Sequence, residues 1–301
     1  MKRRTFLKNL GLVAAIPAVA NLGCASTQAA ARREEQKIRI LTCNIRVDLP
    51  VDGVSGDSWA QRRDLCADVI GARKADLIGF QEMQMPHMEY LKSRLPEFDT
   101  FALYNPGKKG SPPNGIFFSR ARFELLSGGG FWISETPHVA GSKSWDSANV
   151  RLVNWVHLRE RKSGKELRFW NTHLDHISQP AREHGASMIV EACKPFPDDL
   201  PQFLTGDLNS GASNRAIQIL KDGGWIDTYA AVHGPDEPGF TGHAFKGANA
   251  QATRANGTPK EKIDWVFCRG QVTPVDASII RDSRNGHYPS DHFFVSADVK
   301  I

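Results

Sequence analysis

Val150-Arg151-Leu152-Val153-Asn154-Trp155-Val156-His157-Leu158-Arg159 is rich in β-branched and aromatic residues, and only seven residues later Leu167-Arg168-Phe169-Trp170-Asn171-Thr172-His173-Leu174 begins a second such run. A parallel crossover takes roughly a dozen residues or more, so these two runs, and the earlier run at Gly115–Ser119, have no room for intervening helices. Antiparallel pairing follows, and a regular doubly wound sheet does not. Working outward, further strands are expected at Ile38–Ile45, Leu77–Phe80, Phe203–Leu204, Ile263–Phe267 and Phe293–Val299. Amphipathic segments at Trp59–Arg73, Pro86–Leu95, Gln179–Ala192 and Asn214–Leu220 read as helices. The expected fold is α+β: two mostly antiparallel sheets packed together, with helices outside. Gly/Pro/Ser-rich loops are expected at Pro106–Asn114, Gly128–Gly130 and Gly234–Gly239, the triple glycine being read as a flexible turn because no Lys-Ser/Thr follows it. No repeat or low-complexity linker divides the chain, so one domain is expected over residues 36–301.

Charge is concentrated at one end. The chain of 301 residues carries +5, but Lys2, Arg3, Arg4 and Lys8 precede residue 25, leaving 34 basic against 33 acidic residues beyond it. The near-neutral body lacks the broad electrostatic footprint of a nonspecific nucleic-acid binder. The basic start, the uncharged stretch Leu10–Gly23 and the small residues after it form the three parts of an export signal, residues 1–29, too short for a comfortable bilayer span. Its paired arginines are of the twin-arginine type, which predicts the twin-arginine export machinery as a partner and a periplasmic or extracellular location. Thr27-Gln28-Ala29 offers an ordinary cleavage site. Leu22-Gly23-Cys24 resembles a lipoprotein box, with Asn21 where an apolar residue is usual, and would add a lipid anchor at Cys24. Cys43, Cys66, Cys193 and Cys268 contain no CxxC pair and predict no zinc site; buried thiols and a disulfide are both open.

Polar residues recur where apolar runs end or begin. Asn44 follows Ile40-Leu41-Thr42-Cys43, Glu82 follows Ile78-Gly79-Phe80-Gln81, and His173 follows Phe169-Trp170-Asn171-Thr172. Asp207 and Asn209 follow Phe203-Leu204-Thr205-Gly206, Asp264 sits in Lys262-Ile263-Asp264-Trp265, and Asp291-His292 precedes Phe293-Phe294-Val295. Ionisable residues at strand ends tend to share one sheet edge, which turns six separate turn-formers into one predicted site. Glu82 and Asp291 supply hard oxygen ligands suited to Mg²⁺ or Mn²⁺. Phosphoryl transfer fits this inventory: Asp207 as the base on water, Asn209 to orient it, His173 and His292 on phosphoryl oxygens, and Asp264 to fix one imidazole.

Six ordered motifs resemble those of the endonuclease/exonuclease/phosphatase superfamily. They are Leu41-Thr42-Cys43-Asn44-Ile45-Arg46, Gly79-Phe80-Gln81-Glu82, Asn171-Thr172-His173-Leu174, Gly206-Asp207-Leu208-Asn209-Ser210, Ile263-Asp264-Trp265-Val266-Phe267 and Ser290-Asp291-His292. The resemblance implies a four-layer α/β/β/α sandwich and metal-dependent cleavage of phosphoester bonds. It also implies Asn44, Glu82 and Asp291 near the metal, Asp207 and Asn209 at the water, His173 and His292 on the phosphate, and Asp264 behind a histidine. Asn44-Ile45-Arg46 resembles the deoxyribonuclease I form of the first motif. Ser58-Trp59 with Arg62-Arg63, Phe131–Pro137, Ser144-Trp145-Asp146 with Arg151, and Thr172–His176 are similar to a bacterial secreted subgroup of largely unassigned substrate.

Arg46, at the end of the first motif, and Arg151 are expected to clamp a phosphate, and Asp175, His176 and His243 to shape a polar substrate pocket. The expected activity is an exported phosphodiesterase acting by Asp-activated water on a compact phosphoester, sugar- or lipid-linked in preference to a polynucleotide. A secreted nuclease and a catalytically silent binding protein on the same scaffold are the alternatives.

Overall fold

The computed structural model describes residues 37–104, 114–236 and 238–301. The expected export signal, both cleavage patterns and Cys24 lie outside the described residues, as does most of the Pro106–Asn114 loop. The first sheet contains β1 (Lys37–Asn44), β2 (Leu77–Gln81), β3 (Phe98–Phe101), β4 (Ile116–Ser119), β11 (Thr273–Ile280) and β12 (Phe294–Lys300), in the order β11-β12-β1-β2-β4-β3. The second contains β5 (Phe123–Trp132), β6 (Leu152–Glu160), β7 (Glu166–His173), β8 (Gln202–Asp207), β9 (Ile226–Asp227) and β10 (Asp264–Arg269), in the order β5-β6-β7-β8-β10-β9. Each sheet has one parallel pair, β1 with β2 and β7 with β8, and every other pairing is antiparallel.

Both faces of each sheet are covered, which explains why β1 and β8 read as continuous apolar runs. Ile38 and Ile40 of β1 point into the layer between the sheets with Leu77, Phe118, Phe169, Phe203, Val266 and Val299. Leu41 and Cys43 point the other way, onto α1 (Trp59–Ala72) and α2 (Met85–Arg94), where they meet Cys66, Ile70, Phe80 and Leu91. On the far side, Trp170, Leu204 and Phe267 pack against Ile189 of α3 (Gln179–Cys193) and Ile217 and Leu220 of α4 (Arg215–Asp222). The result is the α/β/β/α order of layers. A short α5 (Thr228–His233) follows β9.

Near the end of the molecule that carries the polar strand termini, the two sheets are tied by buried amides. Asn171 Nδ2 donates to the carbonyls of Phe80 (2.8 Å) and Gly115 (3.0 Å), while its Oδ1 accepts from Gln81 Nε2 (2.7 Å) and Thr205 Oγ1 (3.0 Å). All the side chains in this network are buried, so each hydrogen bond also removes a desolvation penalty. A Cβ at Gly79 would lie 2.0 Å from Thr205 Oγ1, so only glycine lets the sheets approach here.

Gly128–Gly130 is not a turn. The three glycines lie inside β5, opposite Val156, Trp155 and Asn154. A Cβ at Gly129 would meet the Trp155 ring at 2.7 Å, and one at Gly130 the Val153 carbonyl at 2.2 Å. The glycines make room for bulky neighbours, a packing demand invisible to local turn statistics. The four described cysteines are free and buried, with burial pushing the Cys66 thiol up to about 12.

Candidate active site

Strand direction gathers the site. Because β1 and β2 run parallel, Asn44 and Gln81 are neighbours in register and Glu82 follows at the same edge. Because β7 and β8 run parallel, His173 stands beside Asp207. The antiparallel β10 enters where β8 leaves, setting Asp264 opposite Asp207, and β12 likewise begins beside the end of β1, just after Asp291-His292. Arg46, Glu82 and Asn209 follow strand ends in left-handed backbone, with φ of 57°, 60° and 48°. Such conformations are costly for residues with a Cβ, and they cluster where function demands a sharp reversal.

Asn44 is the hinge of the cluster. Its Nδ2 donates to Glu82 Oε1 (3.2 Å) and Asp207 Oδ2 (3.0 Å), and its Oδ1 accepts from the Arg46 N–H (3.0 Å). Glu82 also accepts from the Val47 N–H (2.8 Å). Asp207 Oδ1 accepts from the Asn209 N–H (2.9 Å), while His173 Nε2 and His292 Nε2 lie 3.4 and 3.9 Å from Asp207 Oδ2. Asn209 Nδ2 lies 3.1 Å from His173 Nε2 and donates to the Leu174 carbonyl. His292 Nδ1 pairs with Asp264 Oδ2 at 2.8 Å, so Asp264 does stand behind a histidine.

Burial and charge set the protonation states. Burial, reinforced by Asp264, pushes the Asp207 carboxyl up to about 7, against the opposing pull of His292, the Asn209 N–H and Asn44. Burial likewise raises Asp291, and Glu82 adds to it. For His292, burial opposes the charged ring, but Asp264 together with Asp291 and Asp207 outweighs it and holds the imidazole well above its ordinary range. His173 goes the other way: burial, then the charges of Arg151 and His292, keep it neutral.

This is a site short of positive charge. Asp207, Asp264 and His292 offer ligand atoms within 4.8 Å of one another, and Asp264 Oδ1 is buried without a hydrogen-bond partner. Glu82, bridged to Asp207 by Asn44, and Asp291, on which the charge of Glu82 acts, add further oxygens. Hard carboxylate oxygens, one of them orphaned and two pushed toward protonation, are the donor set a divalent cation satisfies, so the residues present fit one.

The substrate-side expectations divide. Arg151 and His176 lie together, Arg151 NH2 being 3.3 Å from His176 Nδ1, and their charges act on His173. Arg46 is engaged twice, by Asp52 (Nε, 3.0 Å) and by Asp291 (NH1, 3.4 Å), so it braces the carboxylates. Asp175 is buried and accepts from the N–H groups of Ile177 and Ser178, from Ser147 Oγ and from the Asn149 N–H; burial alone would raise its carboxyl, but the backbone donors together outweigh it and hold it well below the usual range. It shapes a loop and is not presented to a substrate. His243 corrects the expectation most clearly. It is fully buried against Phe293 (ring centroids 4.1 Å apart), its Nδ1 accepts from the Gly247 N–H, and burial lowers it to about 3. A neutral, enclosed ring packs the 241–247 loop and does not line a pocket.

Other contributors were not among the expected site residues, Arg62 having entered only through the subgroup resemblance. Arg62 is buried and donates to the carbonyls of Ile45, Arg46, Asp57 and Pro289, pinning the chain on both sides of the site. Thr241 Oγ1 accepts from the N–H groups of Ile263 and Asp264, and the neighbouring His243 and Ala244 N–H groups donate to the Asp291 carbonyl. These are long-range backbone contacts.

A sequence-family profile described as "Endonuclease/Exonuclease/phosphatase family" matches residues 41–292. Among solved structures, the chain is similar to the mannosyl-6-phosphatase of Bacteroides thetaiotaomicron VPI-5482, at 27% identity and TM-score 0.78 over 88% of this chain and 100% of that one. An endonuclease/exonuclease/phosphatase family protein from Bacteroides thetaiotaomicron matches at 27% identity and TM-score 0.78 over 87% of this chain and 97% of that one. The CCR4-Not complex 3'-5'-exoribonuclease subunit Ccr4 of Emericella nidulans is 22% identical over 81% of this chain; the chain spans about half, 48%, of that protein's length.

Proposed function

The chain belongs to the endonuclease/exonuclease/phosphatase family and is a metal-dependent phosphoric ester hydrolase; from that premise we propose that it hydrolyses a compact phosphoester by attack of water activated at Asp207. The observation that carries the reading is the position of the Asp207 carboxylate. It is anchored by the Asn209 N–H, touched by Asn44, and faced by both His173 and His292.

Water gives a proton to Asp207 as its oxygen bonds to phosphorus, and the ester P–O bond opens on the opposite side. A raised carboxyl pKa favours this transfer. His292, kept charged by Asp264, donates to a phosphoryl oxygen, and neutral His173 with Asn209 adds a second polar contact. Glu82 and Asp291, with Asn44, are the residues to hold a divalent cation, for which we propose Mg²⁺ or Mn²⁺, while Asp207 and His292 keep the roles just given. Bound there, such an ion supplies Lewis acidity and offsets charge on the nonbridging oxygens.

The near-neutral body and the mannosyl-6-phosphatase neighbour support a small, sugar- or lipid-linked ester as substrate. The likeness to an exoribonuclease subunit supports a nuclease as the second reading. Hydrolysis of phosphate esters, phospholipids, nucleotides, plasmid DNA and RNA, measured with and without EDTA, separates them: the first reading expects EDTA-sensitive turnover of small esters, and the second expects degradation of polymer that falls steeply with salt. Asp207→Ala lowers turnover far more than substrate binding; unchanged turnover overturns the mechanism. We also propose export by the twin-arginine machinery to the periplasm or beyond, either freed after Ala29 or tethered at Cys24. Cell fractionation of the wild type and Cys24→Ala tests both.

A further inference from the structure

Arg151 is a buried cation whose carboxylate contact is long and whose Nε lacks a hydrogen bond. Its side chain is only 11% exposed, yet its Nε makes no hydrogen bond. The nearest carboxylate oxygen, Asp175 Oδ2, is 3.5 Å away and already accepts from Ser147 Oγ (3.0 Å) and the Asn149 N–H (3.2 Å). A buried guanidinium left in this state is expensive unless an incoming anion completes it. Backbone geometry places it at the catalytic edge: Arg151 immediately precedes β6, whose Val153 pairs with Thr172, next to His173. Asp207 and Glu82 both act on its charge. The exposed His176 adjoins it through Nδ1, 3.3 Å from Arg151 NH2.

Resting on the Asp207 reading above, we propose that Arg151 and His176 form the receptor for a third nonbridging phosphoryl oxygen, making the preferred substrate a phosphomonoester dianion. A monoester carries three nonbridging oxygens and a diester two. With His292 assigned to one and His173 with Asn209 to a second, the position facing Arg151 is left for the third oxygen of a monoester, where a diester carries its second alkyl group. At that point a diester presents its second alkyl group to a desolvated guanidinium, which gains nothing from it. The monoester offers an anionic oxygen to the same donor, a charge-assisted contact in a water-poor site. This departs from the phosphodiester expected from the sequence.

The test compares p-nitrophenyl phosphate with bis-p-nitrophenyl phosphate at pH 7.5 in the presence of Mg²⁺ or Mn²⁺. Wild type should favour the monoester in kcat/KM. Arg151→Met should lose roughly 10- to 150-fold on the monoester, the worth of one charged hydrogen bond, with a markedly smaller loss on the diester. His176→Ala, at an exposed position that folding does not depend on, should lose about 2- to 10-fold with the same selectivity. Calorimetric titration with inorganic phosphate should show tight binding by wild type weakened to match in Arg151→Met, while Arg151→Lys, which keeps the charge and loses the fork, falls between. A wild-type preference for the diester, or equal losses on both esters in both variants, overturns the proposal and leaves the Asp207 mechanism standing. Hydrolysis of neither ester by wild type overturns both.

Discussion

Replacing Asp207 by Asn should make the metal-free protein more stable while abolishing its activity. The folded carboxyl sits at about 7 against an ordinary 3.8, driven first by burial and then by Asp264. At 1.36 kcal/mol per unit, ionising it in place costs on the order of 4 kcal/mol at pH 8. Asn keeps an acceptor for the Asn209 N–H but turns an amide toward Asn44 Nδ2, returning about 1 kcal/mol of that gain. A net stabilisation of about 3 kcal/mol corresponds to roughly 6–12 °C in Tm for a domain of this size. The sign follows from linkage. Between pH 4 and 7 the unfolded chain has released the Asp207 proton and the folded chain has not, so wild-type stability falls as pH rises through this window. The advantage of Asn should therefore be small at pH 4, grow to pH 7 and stay level above it. Urea or thermal unfolding in EDTA at pH 4.5, 6 and 8 measures this, alongside turnover with metal restored. A destabilised Asn variant, or a gain that is the same at pH 4.5 and pH 8, refutes the assignment of Asp207 as a buried, strained base.

EDTA should silence hydrolysis and Mg²⁺ or Mn²⁺ restore it; unfolding followed by circular dichroism should show stabilisation of about 2.7 kcal/mol once the free cation is about 100 times its Kd. Asn171→Ala should cost roughly 3–5 kcal/mol, because Gln81 Nε2, Thr205 Oγ1 and two carbonyls lose a buried partner at once; a loss under about 1 kcal/mol in urea titrations would show that the amide does not join the sheets. His87 is fully buried beside Trp59, and burial lowers it to about 4, so the unfolded chain takes up a proton between pH 6.5 and 4 that the folded chain refuses. Stability should fall with pH across that range by about 3 kcal/mol, and His87→Phe should flatten the urea midpoint between pH 7.5 and 5; an unaltered acid response would place the liability elsewhere.

Period and spacing alone located most of the strands and four of the helices, because β-branched runs and amphipathic stripes are local properties that burial merely selects. The site was legible for a related reason. Asn44, Glu82, His173, Asp207, Asp264 and Asp291-His292 stand at strand ends, and two parallel pairs met by antiparallel strands bring such ends to one edge. What depended on contacts between distant segments was hidden. Thr273–Ile280 was unread as a strand because its burial alternates only weakly, and Gly128–Gly130 was misread because the rings that require those glycines belong to other strands. His243 was expected at a polar substrate pocket because a histidine code carries no depth, and only packing against Phe293 shows it enclosed. Arg151 and Asp175 were both expected at the substrate; tertiary structure gave Asp175 four donors and left the Arg151 Nε–H without an acceptor. Chain order dictates which chemical groups are available at an edge, whereas desolvation and partner count, which exist only after folding, decide which of them remain free to act.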